Sequence, residues 1–226
     1  MNIIGNEGAS ESPPTPSATP MDRNNVRDGA RIMLVGLGIM AVVMIAGYFW
    51  LSSSGTPLTP SESQGRLQTV LSLMMVGEAF YFLGKLKLLR KGDNFGNSLI
   101  AAGMAIEALG VFVRMSLLTL GSAPAAAMVR AASSILNAAQ VLPLIHYFRR
   151  DAGRHGDQRG KDLCKFLLLI GYAMLAMTLV FFAQLPRPFG ALVPLMMFGG
   201  VVEFAMFVVL LIRIARDSWG IDDKRS

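Results

Sequence analysis

The sequence predicts an all-α integral membrane protein: a six-transmembrane-helix bundle, N-in/C-in, with short loops. Three observations lead there. Six apolar stretches reach the roughly 18–20 residues that a helix needs to cross a bilayer. Charged residues make up 16% of the 226, against about 25% in soluble domains, and the mean hydropathy is +0.48. Lysine and arginine are also unevenly placed: seventeen of the 21 fall on one side of a six-helix topology and two, Arg66 and Arg187, on the other. The positive-inside rule puts the first side, with both termini, in the cytoplasm.

Residues 1–29 are expected to be a disordered cytoplasmic tail. They are polar and proline-rich, with ESPPTPSATP at 11–20, and lack the apolar core of a signal peptide. The transmembrane domain is expected over 30–215, and a second cytoplasmic tail over 216–226. The first helix, about 32–51, carries no charge, and Tyr48 and Trp50 near its end suit a membrane interface. The second, about 67–84, contains Glu78 and exits through KLKLLRKGDNFG. The third, about 99–120, contains Gly103, Glu107, Gly110 and Arg114 at spacings of four, three and four, which share one side of a helix. The fourth, about 125–147, places Arg130, Ser133, Ser134, Asn137 and Gln140 on one face, and Pro143 should kink it. The fifth, about 163–184, is nearly free of polar groups. The sixth, about 191–212, holds Glu203. Leu73–Gly77 (LMMVG) resembles Leu195–Gly199 (LMMFG), in two helices that run the same way.

The spans therefore hold three carboxylates near the midplane (Glu78, Glu107, Glu203) and two arginines further out (Arg114, Arg130). A charge at that depth costs at least about 2.5–3.5 kcal/mol, so each should face protein or water. Glu107 and Arg114 are two turns apart, too far for an intrahelical pair, and should find partners on other helices. Two readings follow. In one, Glu78, Glu107, Arg114, Arg130, Asn137, Gln140 and Glu203 line a polar cavity that binds a small molecule, an ion or a proton, as in a small transporter or carrier. In the other they join helices, within the chain or to a membrane-protein partner, and the chain is a non-catalytic accessory or assembly subunit.

Other classes find less support. No nucleophile or metal-hydrolase motif of the GxSxG, HExxH, CxxC or Walker type occurs, so no catalytic residue is expected. His146, His155 and the single Cys164 are not at metal-ligand spacing, so neither metal nor cofactor is expected. The basic connection FRRDAGRHGDQRGKDLCK lacks the interleaved aromatics of a nucleic-acid surface. Arg149, Arg150, Arg154, Arg159 and Lys161 are expected to meet anionic lipid headgroups. Short loops fit a bacterial cytoplasmic (inner) membrane.

Overall fold

The computed structural model describes residues 20–52, 60–116, 132–183 and 192–216, and every element among them is a helix. These are α1 (Pro20–Ser52), α2 (Pro60–Lys87), α3 (Asn94–Ser116), α4 (132–139), α5 (Leu142–Arg154), α6 (Gln158–Ala183) and α7 (Leu192–Arg216). Five of them (α1, α2, α3, α6 and α7) are long and apolar enough to cross a membrane. Their outer faces carry exposed large side chains such as Ile45, Phe49, Phe80, Phe112, Leu169 and Val201. Apolar exposure on that scale is untenable in water, and the chain is a membrane protein.

The helices start earlier than their apolar cores. Residues 20–29, expected in the tail, belong to α1, because Val26, Ala30 and Met33 recur at helical spacing and are fully buried. Pro20 and Pro60 stand first in α1 and α2, where a missing N–H costs nothing. The fourth expected helix is not continuous among its described residues. It breaks at Gln140–Val141, and Pro143 lies in the first turn of α5. Without an N–H, and with its ring against the carbonyl four residues back, Pro143 ends α4 rather than bending it.

α5 then runs on to Arg154, through residues whose charge suggested a loop. They are helical because one side of α5 is core: Leu144, Ile145, Tyr147, Phe148 and Ala152 are buried. Cys164 and Leu167 of α6, Leu210, Leu211 and Ile214 of α7, and Met33 of α1 close around them.

Two turns at this end share one design. Arg90-Lys91-Gly92-Asp93 leads into α3, and Arg154-His155-Gly156-Asp157 leads into α6. Each glycine has a positive φ, +85° at Gly92 and +71° at Gly156, which glycine adopts without strain. Each aspartate caps the helix that follows: Asp93 Oδ1 accepts the N–H of Gly96 (3.1 Å) and Asp157 Oδ1 that of Gly160 (3.0 Å). Each also receives arginines from elsewhere. Arg150 and Arg154 pair with Asp93 at 2.9 and 2.7 Å, and Arg213 of α7 pairs with Asp157 at 2.8 Å. A fourth pair, Arg90 with Asp151 (2.8 Å), is buried under the ring of Tyr147.

The helices form a ring in the order α2, α1, α7, α6, α5, α3, with α3 returning to α2. The packing is uneven around it. α1 and α2 make the most extensive contact and α2 and α3 the thinnest. The close contact rests on glycine. A Cβ on Gly36 would lie 2.5 Å from the carbonyl oxygen of Gly77, and one on Gly29 would lie 2.8 Å from that of Gly84. Both pairs are seven residues apart on both helices, so the two backbones touch twice, two turns apart. At the far end, Arg66 donates to the carbonyl of Trp50 (2.8 Å) and lies over its ring.

Candidate functional site

The polar side chains of the spans gather where α2 and α3 pack least. α2 turns its glycines toward α1, and the next residue after each is charged: Glu78 after Gly77 and Lys85 after Gly84. α3 repeats the pattern with Glu107 and Arg114, again seven residues apart. Because α2 and α3 run antiparallel, the acid of each meets the base of the other. Arg114 reaches Glu78 at 2.5 Å, and Lys85 reaches Glu107 at 2.6 Å. The result is two ion-pair rungs about 10 Å apart, from seven residues at roughly 1.5 Å each.

The rungs differ in surroundings. Lys85 and Glu107 are sealed, with side-chain exposures of 1% and 5%. The Lys85 ammonium also lies 4.5 Å from the ring centroid of Tyr81, so the aromatic face shares the stabilisation of its charge. Arg114 and Glu78 are more open, at 22% and 15%. Arg114 donates a second bond to Asn137 Oδ1 of α4 (2.8 Å), tying three helices together. Beside this rung lies a cleft of about 30 Å³ lined by Leu71, Met74, Met75, Glu78 and Arg114. That is room for one or two waters.

On the same side α3 carries Gly103 and Gly110. A Cβ on Gly103 would stand 3.4 Å from the carbonyl oxygen of Gln140, and one on Gly110 would stand 3.8 Å from Asn137 Oδ1. The glycine stripe thus admits α4 and the break that follows it. Buried Gln140 Oε1 has no hydrogen-bond partner among the described residues, and neither has the Tyr81 hydroxyl.

Of the residues singled out by sequence, Glu78, Glu107, Arg114 and Asn137 are thus brought together, with Gln140 bordering the same face of α3. Glu203 is placed elsewhere. It lies on the α6–α7 seam, where a Cβ on Gly171 would stand 3.0 Å from its Oε1, and it makes no hydrogen bond or ion pair with a described residue. Arg130 lies outside the described residues. Lys85 was missed. In the sequence its charge stands with the exit from the second helix, but α2 runs three residues further than expected and carries it inside. The available signal was the doubled seven-residue spacing.

The charged end forms a separate system. Burial pushes the Asp93 carboxyl up. The hydrogen bonds from Arg154 and the Gly96 N–H, with the charges of Arg154 and Arg150, outweigh this and hold it below the usual carboxylate range. The described residues contain no cluster of three or more His, Cys, Asp or Glu able to hold a metal ion. Searches of family models, curated proteins and solved structures give no match to this chain.

Proposed function

We propose that this protein is a small proton- or cation-coupled carrier whose moving part is the α2–α3 seam. In this reading it spans the membrane six times, α4 and the start of α5 lying within the crossing expected at about 125–147. Both termini face the cytoplasm of a bacterial inner membrane. The lysine and arginine count supports that orientation. So does the gathering of the α1 start, the α2–α3 and α5–α6 turns and the α7 end at one charged end of the bundle.

One observation carries the functional reading: four charges bridge the thinnest contact in the ring. Helix register does not require them. The α1–α2 seam achieves tighter association through glycine contacts, with no ion pair between the two helices among the described residues, whereas each charge at depth costs at least about 2.5–3.5 kcal/mol before it is paired. Ion pairs that stand in for packing can open when a carboxylate takes a proton or a cation, because protonation removes the attraction that closes the seam. Glu78, beside the water-sized cleft, is the first acceptor. Arg114 and Asn137 hold the closed state, and Lys85–Glu107 forms the inner latch. Glu203, on another seam, is a second protonatable site.

The test is proton flux into liposomes containing the full-length protein, followed with an entrapped pH dye. Glu78→Gln and Glu203→Gln should fold normally and lose pH-driven flux. Flux equal to wild type in both variants overturns the proposal.

Direct pairing of Lys85 with Glu107 favours the second reading, an accessory subunit in which the rungs fix helix register for a membrane-protein partner. In that case Arg114→Ala should release a co-purifying protein and no flux should be found in the wild type.

A further inference from the structure

The charged end contains a second site, at the start of α3 and beyond the ion-pair rungs, and it stands whichever reading of the rungs holds. A cleft of about 370 Å³ opens over α5 between the first turns of α3 and α6. This lies within the size range of small-ligand pockets. Its floor is His146, Arg149 and Arg150 of α5, with Lys161 of α6 on one wall and Phe95 and Leu99 of α3 on the other.

The cations of this end divide into two groups. Arg150 and Arg154 are committed to Asp93, and Arg150 lies over the Phe95 ring at 4.8 Å. Arg149 and Lys161 are half-buried, and their side chains form no hydrogen bond or ion pair with a described residue. Asp162, the nearest acid in sequence to Lys161, is itself bonded to Lys165 and Gln158. Two half-buried cations facing one cleft without a carboxylate call for an anion.

The walls say what kind. Phe95 is 61% exposed, and past the cleft the outer face of α6 continues with exposed Phe166, Leu169 and Tyr172, the last hydrogen-bonded to His146 at 2.8 Å. A basic recess at the end of two spanning helices, leading onto an apolar face, matches a molecule with a phosphate head and hydrocarbon tails. We propose that this cleft binds one anionic phospholipid, its phosphate held by Arg149 and Lys161 and its acyl chains lying along α3 and α6. The chemistry is the attraction of interfacial Lys and Arg to anionic headgroups, concentrated by shape at one place rather than spread over the whole basic connection.

Native mass spectra of the full-length protein, released from micelles containing phosphatidylglycerol or phosphatidylcholine, test this. One phosphatidylglycerol should bind per chain in preference to phosphatidylcholine. Arg149→Gln with Lys161→Gln should weaken it by roughly twenty-five-fold, from two lost contacts of about fivefold each, while phosphatidylcholine binding stays the same. Arg159→Gln, an exposed arginine outside the cleft, should change nothing. Should the double variant not fold, Lys161→Gln alone decides, with about fivefold expected. Three results overturn the proposal: undiminished phosphatidylglycerol binding in the cleft variants, an equal loss in Arg159→Gln, or displacement of the lipid by inorganic phosphate at the same concentration, which would mark a site for soluble anions.

Discussion

Toward α1, helix α2 presents Gly77 and Gly84; toward α3 it presents Glu78 and Lys85, one residue further along. The first seam brings two backbones together and relies on dispersion between close surfaces, the usual means of helix association in lipid. The second keeps the helices apart and joins them through long charged side chains. In the carrier reading, one helix is thereby fixed on one side and movable on the other. Dispersion falls off steeply with separation, so the glycine seam has one stable state. An ion pair can be neutralised by one proton, so under the proposed carrier reading the charged seam has two.

The largest effect should come from leaving one charge alone at the sealed rung. Glu107→Leu leaves Lys85 buried without a carboxylate, which costs about 3–5 kcal/mol, read as a fall in thermal midpoint of the detergent-purified protein. A loss of only a few tenths would mean that Lys85 finds water and the rung is not sealed. Next comes the glycine seam. Gly36→Leu drives a side chain into the backbone of Gly77 and should cost about 1–3 kcal/mol or more. Gly38→Leu, where a Cβ meets nothing within 4 Å, serves as its control. Equal melting of the two would show that α1 and α2 are not in backbone contact.

Asp93→Ala should be milder, about 1 kcal/mol for the lost helix cap, with a further loss from Arg150 and Arg154. Acid gives the smallest and most graded change. Because the folded carboxyl of Asp93 titrates below its ordinary value, its contribution is complete above about pH 4 and fades as pH falls through the lower folded value. Wild type should therefore lose stability over that window more steeply than Asp93→Asn. Parallel curves would remove Asp93 from the acid response.

Much of this was legible in the sequence, and the omissions have physical causes. The apolar lengths gave the five helices long enough to cross a membrane, and the seven-residue separation of Glu107 and Arg114 correctly sent both to other helices. Asn137 was found because it shares a helical face with its neighbours. Lys85 escaped because a charge at the edge of an apolar run reads as its end, yet long side chains can be held inside when an acid is in reach. The charged half of α5 read as loop for the same reason: Asp151 looks solvated until Arg90, sixty-one residues earlier, is placed against it. The paired R-x-G-D-x-x-G turns were not picked out in the sequence, because their meaning lies in arginines that approach from distant helices. Glu203 was grouped with the other acids by depth alone, and depth does not specify which seam a residue faces.

The most direct measurement replaces the sealed rung by apolar side chains of similar volume, Lys85→Met with Glu107→Met, and follows both thermal stability and pH-driven flux in proteoliposomes. If the α2–α3 charges exist for movement, the double variant should be as stable as wild type or up to about 1–4 kcal/mol more so, and flux should be lost. A protein that melts as early as Glu107→Leu, or that folds and transports like wild type, would contradict the division of labour between the two faces of α2.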